Sequence, residues 1–212
     1  GAGLTRTDAA LIFEQLAYGD VSTAAFISIH NMASWMIDTF GADEQRQAWL
    51  PRLTTMELIA SYCLTEPGSG SDAAAMRTTA TKDGDHYVLN GVKQFITSGK
   101  HGDVAVVIAV TDKGAGKKGM SAFLVPTHAP GYVVARLEDK LGQHSSDTAQ
   151  INFDNCRMPA ENLIGEEGTG FAIAQARLGP GRIHHCMRLI GMAERALELL
   201  CRRANERIQC LF

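Results

Sequence analysis

The stretch YCLTEPGSGSD, residues Tyr62–Asp72, leaves a plausible β-strand and enters a loop of proline, glycine and hydroxyl residues. Pro67 removes a backbone donor, and Gly68 and Gly70 permit backbone angles that residues with side chains avoid. The loop hydroxyls then lie among backbone N–H groups that no sheet ladder uses. Such a loop suits the close approach of a polar, anionic ligand, although an ordinary surface turn has the same composition. The surrounding sequence has to decide between the two.

The composition is that of an ordinary globular protein. The 212 residues are 45% hydrophobic and 20% charged, which is enough for one sizeable core or two small ones. A formal net charge of -3 gives no reason to expect a nucleic-acid partner or an acidic membrane surface. No apolar run approaches the roughly 20 residues of a membrane span.

The cysteines and histidines form no recognisable metal or disulfide pattern. The five cysteines are an odd number without a Cys-x-x-Cys pair, which argues against a zinc site and a disulfide framework. Only His184 and His185 adjoin, and neighbours on a helix point in different directions. We expect reduced thiols, no metal and an intracellular location, cytoplasmic if the protein is bacterial and in the mitochondrial matrix if it is eukaryotic.

The first part of the chain has helical periodicity. A first helix is expected to stop at Gly19, a second to be capped by Ser22 and to end at Gly41, and a third to begin at Asp43. The second carries a stripe of methionine and aromatic residues, which suits core packing better than a ligand wall. We predict a partial N-terminal helical domain over residues 1–57.

The period then changes to two. In HYVLNGVKQFIT, the pair Asn90-Gly91 predicts a hairpin turn between two strands. VAVVIAV is typical of a buried strand, and further strands follow at short spacing. Six or more antiparallel strands predict a central β-barrel or sandwich domain over residues 58–165.

Helical periodicity returns after Gly168. We expect a short helix, a break at Gly179-Pro180-Gly181, and a long helix from Arg182 that begins a C-terminal helical domain, residues 166–212. The long helix has apolar residues without an evident partner, which predicts an exposed stripe: Met187, Ile190, Ala193, Leu197 and Leu200. The fold class is α+β, and we expect the chain to be an interior piece of a larger helical–β–helical protein.

Four blocks in this order resemble the acyl-CoA dehydrogenase family and together span nearly the whole chain. The blocks are FGADEQRQAWLPRLTTMELIASYCLTEPGSGSD, YVLNGVKQFITSG, KLGQHSSDTAQINFDNCRMPAENLIGEEGTGF and GPGRIHHCMRLIGMAERALELLCRRANERI. The first half is most similar to the isobutyryl-CoA dehydrogenase group. The GPGRIHHCMR block is more similar to a longer-chain group, so acyl length and branching stay open.

The resemblance implies FAD as cofactor and assigns two walls around its flavin. One wall would contain Tyr62, Leu64 and Thr65, with Gly70 keeping the backbone close and Ser71 reaching the CoA or flavin phosphates. The second wall would consist of Phe95, Ile96 and Thr97, where the family usually has Trp-Ile-Thr. The Thr97 hydroxyl would lie near the reactive flavin nitrogen.

The resemblance also implies a reaction. A carboxylate removes the α-proton of an acyl-CoA thioester while a hydride passes from the β-carbon to the flavin, which gives the 2-enoyl-CoA. An electron-transfer flavoprotein would then accept the electrons.

The resemblance places the catalytic base outside this chain. Most members carry the base at a position beyond Phe212, and the alternative position in a minority of members is Gly181 here. Glu66, Glu194 and Glu198 suit ion pairs or the surface, so we expect no catalytic base in the 212 residues and no turnover by this chain alone.

The remaining implied contacts concern CoA and a neighbouring subunit. Arg182 would contact CoA, with Gly179, Pro180 and Gly181 lining its channel. Arg207 would reach the FAD of a second subunit in a homo-oligomer, a tetramer or a dimer. The family follows this arginine with an aromatic-Gly pair, whereas this chain has IQCLF.

Two other functions remain open at this point. An acyl-CoA oxidase would share these motifs and pass its electrons to oxygen. A truncated, catalytically silent product would keep only a weak nucleotide-binding surface.

Overall fold

The computed structural model describes residues 3–207, with helices at both ends of a central sheet. The helices are α1 (Arg6–Gly19), α2 (Val21–Phe40), α3 (Asp43–Thr54) and α4 (Gly170–Glu206). The strands are β1 (Ala60–Cys63), β2 (Thr79–Asp83), β3 (His86–Thr97), β4 (Val104–Val110), β5 (Met120–Pro126), β6 (Tyr132–Leu137), β7 (Thr148–Pro159) and β8 (Leu163–Ile164). The predicted α+β class and the helix–sheet–helix order are confirmed.

A single residue separates α1 from α2. Asp20 has an extended backbone, its N–H closes α1 on the carbonyl of Leu16, and its carboxylate accepts the N–H of Thr23 at 2.6 Å. Asp20 is therefore the N-cap of α2. The predicted cap, Ser22, is wrong, because Ser22 already lies inside the first turn and is buried.

The strands form one sheet in the order β6-β7-β3-β2-β4-β5-β8, with β1 beside β4. Most neighbouring strands are antiparallel, as predicted, but β1 runs parallel to β4, and β2 meets β4 in a single parallel pair between Thr79 and Val110. The parallel β1 brings the start of the YCLTEPGSGSD segment beside the most deeply buried strand of the sheet.

Strand β4 is buried on both faces, and its alternation divides the core in two. Val104, Val106 and Ile108 belong to the core that packs against α2 and α4. The intervening Ala105 and Val107 belong to a second core between β3, β5 and β7. Period-two alternation thus holds the helices against one face of the sheet only.

The predicted hairpin at Asn90-Gly91 is wrong, because β3 continues through both residues. The pairing of β3 with β7 shifts register between Leu89 and Gly91, and Gly91 has φ 148°. A Cβ at Gly91 would lie 2.5 Å from Thr78 Oγ1. Glycine here serves a bulge and a close approach of two strands rather than a turn.

The predicted break at Gly179-Pro180-Gly181 is also wrong. Helix α4 runs without interruption through this segment, and Pro180 lies inside it. Packing of the flanking turns on α1, α2 and β5 holds the helix together despite the hydrogen bond that proline removes. No described helix is long and apolar enough to cross a membrane.

The outer part of α4 exposes an apolar stripe, as predicted. Leu197 and Leu200 are 61% and 67% exposed, and Ile190 is 44% exposed. The face that packs against α1 and α2 instead contains His184, Arg188 and Gly191.

The cysteines in the described residues are free thiols. Cys63 and Cys156 are buried, whereas Cys186 and Cys201 are exposed. The fifth, Cys210, lies outside the described residues.

Candidate functional site

A cavity of about 220 Å³ lies between α2, α4 and the ends of β1 and β3. Its lining is contributed by three segments that are far apart in sequence: Ser28, Ile29 and Met32 from α2; Tyr62, Leu64, Thr65, Phe95, Ile96 and Thr97 from the sheet; Arg177, Leu178, Gly181, Arg182, His184 and His185 from α4. The two segments predicted as flavin walls therefore meet on one side of the cavity, opposite the two helices.

Eight of the thirteen residues predicted for the site line this cavity. They are Tyr62, Leu64, Thr65, Phe95, Ile96, Thr97, Gly181 and Arg182. The other five are not among its lining residues: Gly70, Ser71, Gly179, Pro180 and Arg207. Gly70 and Ser71 are exposed in the loop, Gly179 and Pro180 lie on α4 beside the wall, and Arg207 is exposed at the end of α4.

Glu66 fixes the loop that follows β1. Its carboxylate accepts the backbone N–H groups of Arg77 at 2.7 Å and Thr78 at 2.9 Å, and it pairs with Lys93 at 2.8 Å. Burial opposes the charge, but Lys93 and these hydrogen bonds outweigh it and hold the pKa of Glu66 below its usual range. Lys93 also donates to the carbonyl of Leu64 at 3.0 Å, so the ion pair fixes both ends of this part of the loop.

A second irregularity of β3 aims Phe95 at the cavity. The pairing with β7 shifts register between Lys93 and Ile96, and Phe95 has φ 60° and is 59% exposed. The N–H of Gln94 donates to the carbonyl of Thr65 at 2.8 Å, which joins the two walls directly. A non-glycine residue at positive φ beside a cavity stores backbone strain where a ligand binds.

Two buried polar atoms in the cavity wall have no hydrogen-bond partner. They are the hydroxyl of Tyr62 and Nε of Arg177. Burial raises the pKa of Tyr62, so its hydroxyl remains protonated and able to donate. Unpartnered buried polar atoms are rare in native structures, and here they face a space large enough for a ligand.

The wall contributed by α4 is positively charged and aromatic. His184 stacks on Phe13 with ring centroids 4.5 Å apart. Burial, and then the charges of Arg177 and Arg188, lower the pKa of His184 to about 4, so it is neutral at physiological pH. Arg188 contacts His185 and donates to the hydroxyl of Ser28 at 3.3 Å.

No carboxylate lines the cavity in the part of the chain that the structure describes. Glu66 is paired with Lys93, and Glu198 with Arg202 on the surface, as expected for both. Within residues 3–207, no three histidine, cysteine or carboxylate side chains are grouped so as to hold a metal.

Sequence reasoning missed the helical part of the cavity. Arg177, Gly181 and His184 share one face of α4 because they follow a spacing of four and three residues. That spacing could have indicated Arg177, but the predicted helix break after it hid the relation. Met32, predicted as core, is 7% exposed and both packs in the core and lines the cavity.

Three models of one protein family match this chain in sequence order. They are the acyl-CoA dehydrogenase N-terminal domain over residues 1–57, the middle domain over residues 61–156, and the C-terminal domain over residues 168–210. The chain therefore belongs to the acyl-CoA dehydrogenase family.

Individual relatives agree with this assignment. The mitochondrial isobutyryl-CoA dehydrogenase of Dictyostelium discoideum is 53% identical over 87% of this chain and 44% of its own length. The mitochondrial short-chain specific acyl-CoA dehydrogenase of Homo sapiens is 42% identical over 98% of this chain and 51% of its own length. The chain thus spans about half the length of the curated relatives it matches.

Solved structures have the same fold. Butyryl-CoA dehydrogenase from Megasphaera elsdenii superposes with a TM-score of 0.94 at 37% identity, over 99% of this chain and 55% of that one. A chain in the structure of the electron transferring flavoprotein of Acidaminococcus fermentans gives a TM-score of 0.95 at 41% identity, over 99% and 56%.

Proposed function

We propose that this chain forms the FAD-binding and acyl-CoA-binding part of an acyl-CoA dehydrogenase, which converts an acyl-CoA to its 2-enoyl-CoA. The observation that carries the proposal is the meeting of Tyr62–Thr65 and Phe95–Thr97 in one cavity, opposite Arg182. Family membership and relatives named for this activity support the same reaction.

The residues present fit FAD. The cavity offers apolar surface from Leu64 and Ile96, hydroxyl donors from Thr65 and Thr97, and the unpartnered hydroxyl of Tyr62. When bound, FAD supplies the acceptor for the hydride. The chain's own side chains position it, exclude water and hydrogen-bond its polar edge.

Arg182 and Gly181 form the side of the cavity that we assign to CoA. Arg182 is exposed and positively charged, as suits contact with an anionic nucleotide thioester. We propose that Ser71 and the glycines of the loop approach the phosphates from outside the cavity, and that Gly179 and Pro180 support the channel without lining it. Arg207 is proposed to reach the FAD of a second subunit in a homo-oligomer.

We propose that the catalytic base is not among these 212 residues. No carboxylate of residues 3–207 lines the cavity, and Gly181 has no side chain to serve as base. The full-length protein would supply the base from a segment outside this chain and pass its electrons to an electron-transfer flavoprotein. Because the relatives named above include mitochondrial enzymes, we propose a location inside the cell, in the matrix or the bacterial cytoplasm.

The test is anaerobic mixing of FAD with the purified chain and, separately, with the full-length protein, followed by short and long acyl-CoAs. FAD binding is measured by flavin absorbance and reduction by its bleaching. We expect bleaching by the full-length protein alone, because a positioned base contributes roughly 10²–10⁴-fold. Failure of the full-length protein to bind FAD or to bleach with any acyl-CoA would contradict the proposed function, and rapid bleaching by the 212-residue chain would contradict the position of the base.

A further inference from the structure

Arg177 is a half-buried cation without an anion in the cavity wall. Its guanidinium lies over the ring of Trp35, 5.6 Å from the ring centroid, which fixes one face. Its Nε is buried with no partner, and the side chain makes no hydrogen bond or ion pair with any residue from 3 to 207. A buried charge of this kind is costly unless an anion pairs with it.

The surroundings of Arg177 add positive charge rather than neutralise it. Burial, and next the charge of Arg6, lower the pKa of Arg177 from its usual range. The cavity also contains Arg182, and Arg188 lies behind it against Ser28. With no carboxylate in the described lining, this wall attracts an anionic ligand group.

The position of Arg177 distinguishes between the anionic groups that the proposed function brings to the cavity. Arg182 is exposed, where the phosphates of a nucleotide remain accessible to water. Arg177 is half-buried and lies beside Ile29, Met32 and Leu178. An apolar lining with one cation suits a hydrocarbon chain that ends in a single negative charge.

We propose that the acyl group of the substrate carries a terminal carboxylate and that Arg177 binds it. The proposal rests on the proposed function, since it concerns the acyl chain of an acyl-CoA. The planar guanidinium presents parallel N–H donors that match a carboxylate, and the free Nε is one of them. Arg177 thereby selects monothioesters of dicarboxylic acids over neutral acyl chains of equal length.

The test compares charged and neutral acyl chains of matched length in the full-length, FAD-loaded protein. Succinyl-, glutaryl- and adipoyl-CoA are paired with butyryl-, pentanoyl- and hexanoyl-CoA. Binding is measured by titration calorimetry without an electron acceptor, and kcat/KM with an artificial acceptor. We expect at least one carboxylated member to bind roughly 10- to 100-fold more tightly than its neutral partner, as a charge-assisted pair provides.

Substitutions assign the preference to Arg177. Arg177→Met should abolish it while leaving the neutral chains bound, and Arg177→Lys should keep part of it. Arg203→Met, at an exposed arginine on the same helix outside the cavity, is the matched control and should change neither series. FAD content reports whether each variant is folded.

Two results would overturn the inference. If neutral chains bind at least as tightly as all carboxylated ones, or if Arg177→Met weakens both series equally, Arg177 does not select a carboxylate, while the proposed function stands. If no acyl-CoA of either series binds, the proposed function and this inference fail together.

Discussion

Lys93 and Glu66 form an ion pair with Nζ and Oε1 2.8 Å apart, and their side chains are 0% and 7% exposed. The pair joins β3 to the loop after β1, the two segments that line one side of the cavity. A charge buried this completely needs a partner, so neither residue can change alone without a large effect.

Lys93→Met should lower the free energy of unfolding by about 3–5 kcal/mol, because Glu66 would remain buried and charged without its partner. Chemical denaturation of the purified protein measures the change. Arg157→Met breaks an ion pair of 2.7 Å on the surface with Asp83, and should cost at most about 1 kcal/mol. Equal losses in the two variants would show that the buried pair is not special.

Stability should rise with pH between about 4 and about 6.5 through His184. Its pKa is lowered to about 4 in the folded protein from 6.5, so the unfolded chain binds the proton over this interval and the folded chain does not. The contribution is complete above about 6.5 and is lost as the pH falls towards 4.

Denaturation at several pH values measures this dependence, which should amount to at most roughly 3 kcal/mol. His184→Leu should flatten the slope, and His128→Leu, at an exposed histidine, is the matched control. A slope unchanged in His184→Leu would mean that other groups produce it.

Gly91→Ala should be strongly destabilising. The backbone has φ 148°, and the new Cβ would lie 2.5 Å from Thr78 Oγ1 and 2.7 Å from its Cα. We expect a loss of about 2–4 kcal/mol from overpacking and backbone strain combined.

Gly84→Ala is the matched control for Gly91. Gly84 also has a positive φ of 62°, but no atom lies within 4 Å of the added Cβ. Its cost should be about 1–2 kcal/mol, from backbone conformation alone. Similar losses at the two positions would mean that the contact with Thr78 relaxes at no cost.

The exposed stripe of α4 should make the purified 212-residue chain self-associate. Leu197 and Leu200 are 61% and 67% exposed on one helix. Replacing both by glutamate should lower the apparent mass in sedimentation or light scattering. Leu141→Glu removes an exposed leucine elsewhere and should leave the mass unchanged. If the double variant associates as before, the contact lies on another surface.

The sequence predicted the order of elements and the sheet side of the cavity, because those signals are local. Periodicity identified the helices and β4, and the segments around Thr65 and Thr97 were found through the family resemblance. Three features depended on tertiary contacts and were missed. The Asn90-Gly91 pair has the composition of a turn, and only the approach of Thr78 requires glycine within a continuous strand.

Helix α4 and Arg177 show the same limitation. Gly179-Pro180-Gly181 is an unfavourable helical segment by itself, and packing of the neighbouring turns overrides that preference. Arg177 acquires its importance only from the cavity and from Trp35, which approaches it from a helix more than a hundred positions earlier in the chain.

The weakest point of α4 coincides with the cavity wall. Pro180 leaves one carbonyl of the preceding turn without its helical N–H, and Gly181 beside it lines the cavity. From Gly181 to Glu206 the helix extends roughly 38 Å, so it acts as a lever with its pivot in the binding site. A bend of about two degrees at the pivot moves the far end by roughly 1 Å over that length. Any molecule that grips the outer turns of α4 therefore has a mechanical handle on the position of Arg182.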